Sequence, residues 1–95
     1  MFLLAAAELS YASVSNTLTR SLSEAFGPGV VVETKKAPGD QAGEKVFVLV
    51  VSSRFNGKTP RQRQAAVWRV IRQSLGKDRE GRVALAMVRG TDDVW

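Results

Sequence analysis

The sequence predicts an α+β domain in which a three-stranded mixed sheet packs on helices, in the order α-β-β-α-β-(α). Three observations lead to this prediction. Apolar residues recur at helical spacing in two segments, short β-branched runs occupy three others, and glycine or proline separates the segments. A chain of 95 residues is expected to form one domain, placed at residues 14–95, after an N-terminal extension over residues 1–13.

The first helix is predicted to begin at Ser15 or Asn16, because both residue types are good N-caps, and to end at Phe26. Gly27, Pro28 and Gly29 follow it and cannot continue a helix. Steps of three and four place its apolar residues on one stripe: Val14, Leu18, Leu22, Ala25 and Phe26.

Two strands are predicted next, over residues 30–35 and 45–51, joined by a loop too long for a tight hairpin. They are expected to pair antiparallel. The second strand is apolar at every position from Val46 to Val51. It is therefore expected at the centre of the sheet, either covered on both faces or with a partner at one face.

The second helix is predicted to begin with Thr59 as its N-cap and Pro60 as its first residue, and to end at Gly76. Its side facing the sheet should carry Val67, Trp68, Ile71 and Leu75. A polar turn over residues 77–81 leads to a third strand over residues 82–89. The connection from strand to helix to strand predicts a parallel pair with a right-handed crossover. Residues 91–95 resemble the start of a terminal helix.

Two residue types are missing from the sequence, which contains no cysteine and no histidine. Disulfides, thiolate metal sites and Ser-His or Cys-His catalytic pairs are therefore excluded. Without these side chains we expect no enzymatic activity and no metal held by this chain.

The first eight residues are apolar apart from Glu8, but the run is short and no basic residue precedes it. We interpret it as an extension of the domain rather than as a targeting peptide. No segment approaches the roughly 20 apolar residues that span a bilayer, so no membrane association is expected.

Positive charge is concentrated in one half of the chain. Residues 54–82 contain nine basic and two acidic residues, whereas the net charge of the whole chain is +5. Such a segment is typical either of a solvated helix face or of a surface that binds an anionic partner, nucleic acid included. The candidate nucleic-acid-binding residues are Arg54, Lys58, Arg61, Arg63, Arg69 and Arg72.

The segment from Ser53 to Gln64 contains Phe55, Gly57-Lys58-Thr59 and Arg63 directly after the apolar strand. Together with Arg82-Val83-Ala84-Leu85 and the closing Thr91-Asp92-Asp93-Val94-Trp95, it resembles the signature of the BolA family. The resemblance covers about residues 14–95. It implies a fold similar to the class II KH arrangement and a location in the cytoplasm or mitochondrion. It also implies a monomeric adaptor that binds a monothiol glutaredoxin in iron–sulfur cluster trafficking or iron regulation.

The resemblance also implies a set of partner-binding residues: Gly57, Lys58, Thr59, Arg63, Gln64 and Trp95. Gln64 stands where members that bind a cluster have a ligating His. An amide oxygen matches iron in a cluster poorly. No cofactor is therefore expected on this chain alone, and a cluster shared with a glutaredoxin would receive neither His nor Cys from it.

The sequence allows two interpretations of the role of several residues. Lys58 at a helix start suits either a bound phosphate or a solvated turn after a glycine with positive φ. Phe55 suits the core better than base stacking, and Trp95 suits a partner anchor or simple packing. The alternative to an adaptor is a transcriptional regulator that binds nucleic acid through the basic face of the second helix.

Overall fold

The computed structural model describes residues 11–37, 45–77 and 79–93 of the chain. It confirms the predicted α+β class and element order. The helices and strands are α1 (Tyr11–Phe26), β1 (Val31–Lys36), β2 (Val46–Val51), α2 (Pro60–Leu75) and β3 (Val83–Arg89).

The three strands form one sheet in the order β1-β2-β3. β1 pairs antiparallel with β2, with Val31 opposite Val51, and β2 pairs parallel with β3, with Val48 opposite Ala86. Both predicted pairings are confirmed. Since α2 connects the two parallel strands, it crosses over one face of the sheet and packs on β3.

The core lies between that face and the two helices. Val46, Val48 and Val50 of β2 point into it and are at most 2% exposed. Their neighbours from the helices form two apolar stripes: Val14, Leu18 and Leu22 from α1, and Val67, Ile71 and Leu75 from α2. Both stripes agree with the predicted helical spacing.

The opposite face of the sheet is covered by none of the described elements. Phe47, Leu49 and Val51 lie there half-buried. Leu85 and Met87 of β3 are 44% and 42% exposed beside them. We call this surface the open face; Val31, Glu33 and Lys35 of β1 complete it. The described elements cover β2 at one face only, which contradicts the first predicted arrangement, while a partner at the other face stays a prediction.

The predicted start of the first helix is wrong. Ser15 and Asn16 lie inside α1, which includes Tyr11. The Ser15 hydroxyl lies 2.5 Å from the Thr34 Oγ1, and the Tyr11 hydroxyl lies 3.2 Å from the same atom. Ser15 therefore tethers α1 to β1 instead of capping a helix end. Residues 1–10 of the predicted extension lie outside the described residues.

The other predicted boundaries differ from the structure by one or two residues. β1 begins at Val31 because the Val30 amide donates to the Gly27 carbonyl (3.4 Å). The short 3-10 helix Glu80–Arg82 occupies the end of the predicted polar turn, so β3 starts at Val83. Most of the predicted loop between β1 and β2 lies outside the described residues. Within the described part of the chain, no helix is long and apolar enough to cross a membrane.

Candidate functional site

The segment between β2 and α2 forms an exposed bend, residues 56–59, on a buried anchor. Ser52, only 3% exposed, accepts a hydrogen bond from the Arg54 amide (3.1 Å) and starts the 3-10 helix Ser53–Phe55. The Phe55 carbonyl then accepts from the Lys58 amide (3.1 Å). These hydrogen bonds fix the backbone of the bend. Its residues Gly57, Lys58 and Thr59 are nevertheless exposed to solvent.

Gly57 has a φ of 76°, a conformation that disfavours residues with a Cβ. A Cβ at Gly57 would meet no atom within 4 Å. The glycine is thus required by the backbone angle and not by crowding. This agrees with the prediction of a positive φ at this turn.

Phe55 fixes the bend to the core. Its side chain is 1% exposed, and its ring centroid lies 4.9 Å from that of Phe26 at the end of α1. The preferred interpretation of Phe55 as a core residue is confirmed, and the alternative role in base stacking is wrong, because the ring is inaccessible.

The start of α2 is a complete capping box. Thr59 Oγ1 accepts from the Gln62 amide (3.2 Å), and Gln62 Oε1 accepts from the Thr59 amide (3.0 Å). Pro60 occupies the first helical position, where it gives up no intrahelical hydrogen bond. The predicted cap is confirmed. Thr59 therefore has a structural task in addition to its predicted place in a docking site.

Arg63 ties the bend to the turn after β3. Its guanidinium pairs with the Asp93 carboxylate through both Nη atoms, the longer contact being 3.1 Å, and its Nε donates to the Lys58 carbonyl (3.0 Å). Asp93 also accepts from the Gly90 amide (3.0 Å). We call this group, with Asn56 and Thr91, the clasp.

The rest of the clasp joins the bend and the turn directly. Asn56 Nδ2 donates to Thr91 Oγ1 (3.0 Å), and Asn56 Oδ1 lies so close to Gly90 that a Cβ there would collide with it. The two side chains of the Arg63–Asp93 pair are only 15% and 19% exposed. The clasp thus joins the bend to the turn at residues 90–93.

The pair affects the protonation of both partners. The hydrogen bond from Arg63, followed by that from the Gly90 amide, lowers the pKa of Asp93 below its ordinary value. The hydrogen bond to Asp93 raises the pKa of Arg63. Both groups therefore stay charged at neutral pH, and most of the Arg63 charge is compensated within the protein.

Gln64 links α2 to β3. Its Nε2 donates to the Ala86 carbonyl (2.8 Å), and its Oε1 accepts from the Trp68 indole Nε1 (3.0 Å). Gln64, a predicted partner-binding residue, thus has both ends of its amide bonded within the chain. Trp68 lies, as predicted, against the core, half-buried.

These contacts decide whether an iron–sulfur cluster fits at this position. The only side-chain oxygen of Gln64 already accepts a hydrogen bond from Trp68. The whole sequence has neither His nor Cys, and the described residues contain no group of three potential metal ligands. The residues therefore do not fit a cluster as ligands.

The six candidate nucleic-acid-binding cations differ in whether another residue of the chain already contacts them. Arg63 is held in the clasp, and Arg72 pairs with Glu80 (3.0 Å) while its side chain remains 61% exposed. The guanidinium of Arg54 lies against Gly27, at the end of α1. Lys58, Arg61 and Arg69 are exposed at the bend and along α2. These three have no ion pair among the described residues, whereas Arg54 and Arg72 are exposed as well but contact neighbouring residues.

The structure also shows functional candidates that the sequence did not reveal. Asn56 and Asp93 hold the bend in place, and Trp68 orients Gln64. Asp93 is 30 residues from Arg63 in sequence, so no local pattern could pair them. Trp95, the remaining predicted partner-binding residue, lies outside the described residues.

No family model and no curated protein matches this chain.

Proposed function

We propose that this protein is an adaptor without catalytic activity that binds a monothiol glutaredoxin, or a related factor of iron–sulfur trafficking or iron regulation, through the bend. The single observation that carries the proposal is the bend itself. It is exposed and positively charged at Lys58, yet it is fixed by Phe55, the capping box and the clasp. A preorganised surface loses little conformational entropy on binding, which favours a protein contact. The resemblance to the BolA family supports the identity of the partner.

Lys58 and Arg61 supply the charge of this surface. Both are exposed, and α2 contains no acidic residue. An acidic patch on the partner would be attracted to them, and such rim charges act mainly on the association rate and its salt dependence. Gly57 and Thr59 would contact the partner through a backbone that is already in place.

Isothermal titration calorimetry with a purified monothiol glutaredoxin tests the proposal. Both the apo form and the cluster-loaded form should be titrated. We expect binding that Lys58→Glu weakens by about tenfold, since reversing a charge at a complementary surface changes attraction to repulsion. Lys77→Glu is the matched control, because Lys77 is also exposed but lies beyond the opposite end of α2. The proposal is rejected if neither form of the glutaredoxin binds.

The role of this chain toward the cluster can be measured separately. Because Gln64 is engaged on both sides, we expect the visible absorption spectrum of the loaded glutaredoxin to stay unchanged when this protein is added. A Gln64→His variant restores the side chain that the family resemblance leads one to expect, and a change with this variant alone would identify position 64 as facing the cluster. A spectral change with the unmodified protein would contradict the conclusion that it contributes no ligand.

Nucleic-acid binding is the second candidate, and one observation favours it. Lys58 in the bend and Arg61 and Arg69 on α2 are exposed, and α2 contains no acidic residue. Fluorescence anisotropy with single-stranded and duplex oligonucleotides measures it. Three phosphate contacts predict that log K falls with log salt concentration with a slope of about −2 to −3. Absence of binding at low ionic strength, or a flat salt dependence, would exclude this candidate.

A further inference from the structure

β3 is an edge strand of the described sheet, and its backbone groups alternate in direction. The Ser52 amide donates to the Arg89 carbonyl (3.1 Å), so the backbone of Arg89 faces β2. Successive residues of an edge strand face alternately toward and away from the neighbouring strand. Ala86 and Val88 therefore turn their amide and carbonyl groups toward the free edge. One of these groups, the Ala86 carbonyl, is bonded by Gln64.

The side chains below this edge are apolar. Leu85 and Met87 project onto the open face and are 44% and 42% exposed. They lie opposite Phe47 and Leu49 of β2, which are half-buried. A strand added next to β3 would place every second side chain on this apolar surface, because side chains alternate between the faces of a sheet.

The side chains above the edge are cationic. The side of α2 that contains Val70 and Ser74 lines a groove together with Ser21 and Ala25 of α1. Its other flank faces the edge of β3, as the bond from Gln64 to Ala86 shows. Helical spacing of about 100° per residue adds three further side chains to this flank: Arg61, Trp68 and Arg72. Arg61 is exposed, and Arg72 is exposed although it pairs with Glu80.

The other edge of the sheet has a different character. Glu33, Lys35 and Lys36 give β1 three charged residues, and Thr34 of β1 is bonded to α1. Charged residues on an edge strand, lysine in particular, discourage pairing with another chain. β1 therefore has the features of a protected edge. The middle of β3 has no charged residue. Among the described residues, only the Gln64 side chain bonds its free edge, at the Ala86 carbonyl.

We propose that the edge of β3 binds an extended segment of a partner protein whose acidic and apolar side chains alternate. Its backbone would pair with Ala86 and Val88 in place of the Gln64 amide. Its apolar side chains would lie on Leu85 and Met87, and its acidic side chains would point toward Arg61 and Arg72. Strand addition of this kind takes affinity from backbone hydrogen bonds and specificity from the alternating side chains.

A second copy of this chain fits the edge less well than such a segment. Two β3 strands paired about a two-fold axis would bring the cationic flanks of two α2 helices together. Like charges placed opposite one another are destabilising. The proposed surface shares Arg61 with the surface proposed for the glutaredoxin but is centred on β3, so the inference does not depend on the binding of a glutaredoxin.

A heteronuclear NMR titration of the full ¹⁵N-labelled chain tests the inference. The probe is a synthetic peptide of alternating glutamate and valine, acetylated and amidated. We expect shifts at the amides of β3 and at the Gln64 side chain, together with slower hydrogen exchange at Ala86 and Val88. Two control peptides should not bind: one in which lysine replaces glutamate, and one whose bonding amides are N-methylated. Shifts confined to the bend, no shifts, or equal binding of either control would overturn the proposal.

Three variants locate the contact. Met87→Glu places a charge under the apolar side of the bound strand and should weaken binding by more than about tenfold. Val31→Glu is the matched control. Val31 is 46% exposed on the same face, but it belongs to β1 at the other edge of the sheet. Gln64→Ala frees the Ala86 carbonyl and should strengthen binding about fivefold, the value of one hydrogen bond. Equal effects of the Met87 and Val31 variants, or weaker binding by the Gln64 variant, would contradict pairing at β3.

Discussion

The two faces of β2 carry similar side chains and have different roles. Val46, Val48 and Val50 are buried beneath α1 and α2, whereas Phe47, Leu49 and Val51 remain half-buried on the open face. The neighbouring strand repeats the difference, with Ala86 4% exposed and Met87 42% exposed. Only one of these apolar surfaces is used by the described residues to build the core.

The comparison shows that apolar character alone does not identify the core of this domain. Burial of one face stabilises the fold, since each side chain removed from water contributes about 1.5–3 kcal/mol. Exposure of the other face costs stability and solubility unless it is compensated by contact with a partner. The open face and the edge of β3 are thus the part of the sheet available for binding.

The largest expected effect compares two Leu→Ala changes. Leu18 is fully buried in α1, and Leu18→Ala should lower the free energy of unfolding by about 2–5 kcal/mol because it leaves a cavity. Leu85 is 44% exposed on the open face, and Leu85→Ala should lower the free energy of unfolding by less than about 1 kcal/mol. Urea unfolding followed by circular dichroism measures both. A loss at Leu85 as large as that at Leu18 would show that the open face is buried.

A smaller effect is expected where α2 meets the edge of β3. Gln64→Ala removes hydrogen bonds to the Ala86 carbonyl and the Trp68 indole and should cost about 1 kcal/mol. Gln73→Ala, at an exposed position of the same helix, should be close to neutral. Thermal and urea unfolding of both variants make the comparison. Equal stability of the two would mean that Gln64 does not tether the strand.

The bend allows a matched comparison of two glycines. Gly57→Ala forces a Cβ onto a residue with a φ of 76° and should cost about 1 kcal/mol. Gly81 has no such angle, and a Cβ there meets no atom within 4 Å, so Gly81→Ala should change stability little. Unfolding midpoints in urea distinguish the two. Similar effects would contradict the fixed conformation of the bend.

The smallest expected effect is the dependence of the clasp on pH. The pKa of Asp93 is lower in the folded protein than its ordinary value, so its contribution to stability is complete above about pH 4. That contribution is lost as the pH falls through the lowered folded-state pKa. Asp93→Asn should therefore flatten the acid limb of the curve of unfolding midpoint against pH. An unchanged acid limb in this variant would show that the pair with Arg63 does not contribute.

Features determined by neighbouring residues were predictable from the sequence. Thr59, Pro60 and Gly76 bound α2 because caps act within a few residues along the chain. The start of α1 was predicted wrongly at Ser15, because a side chain that can cap a helix can also bond to another element, here Thr34 of β1. The pairing of Arg63 with Asp93 and of Gln64 with Ala86 depends on how distant segments come together. The resemblance noted in the sequence led to the prediction that Gln64 binds a partner, but it could not show what Gln64 bonds within the chain.

A titration of the ¹⁵N-labelled full chain with unlabelled apo monothiol glutaredoxin tests the docking account most directly. The account predicts that the amides of Gly57, Lys58 and Arg61 shift progressively, whereas those of Val48 and Ile71 in the core do not. Lys58→Glu should reduce these shifts at the same glutaredoxin concentration. A spectrum that stays unchanged to saturating glutaredoxin, or one that changes only away from the bend, would contradict it.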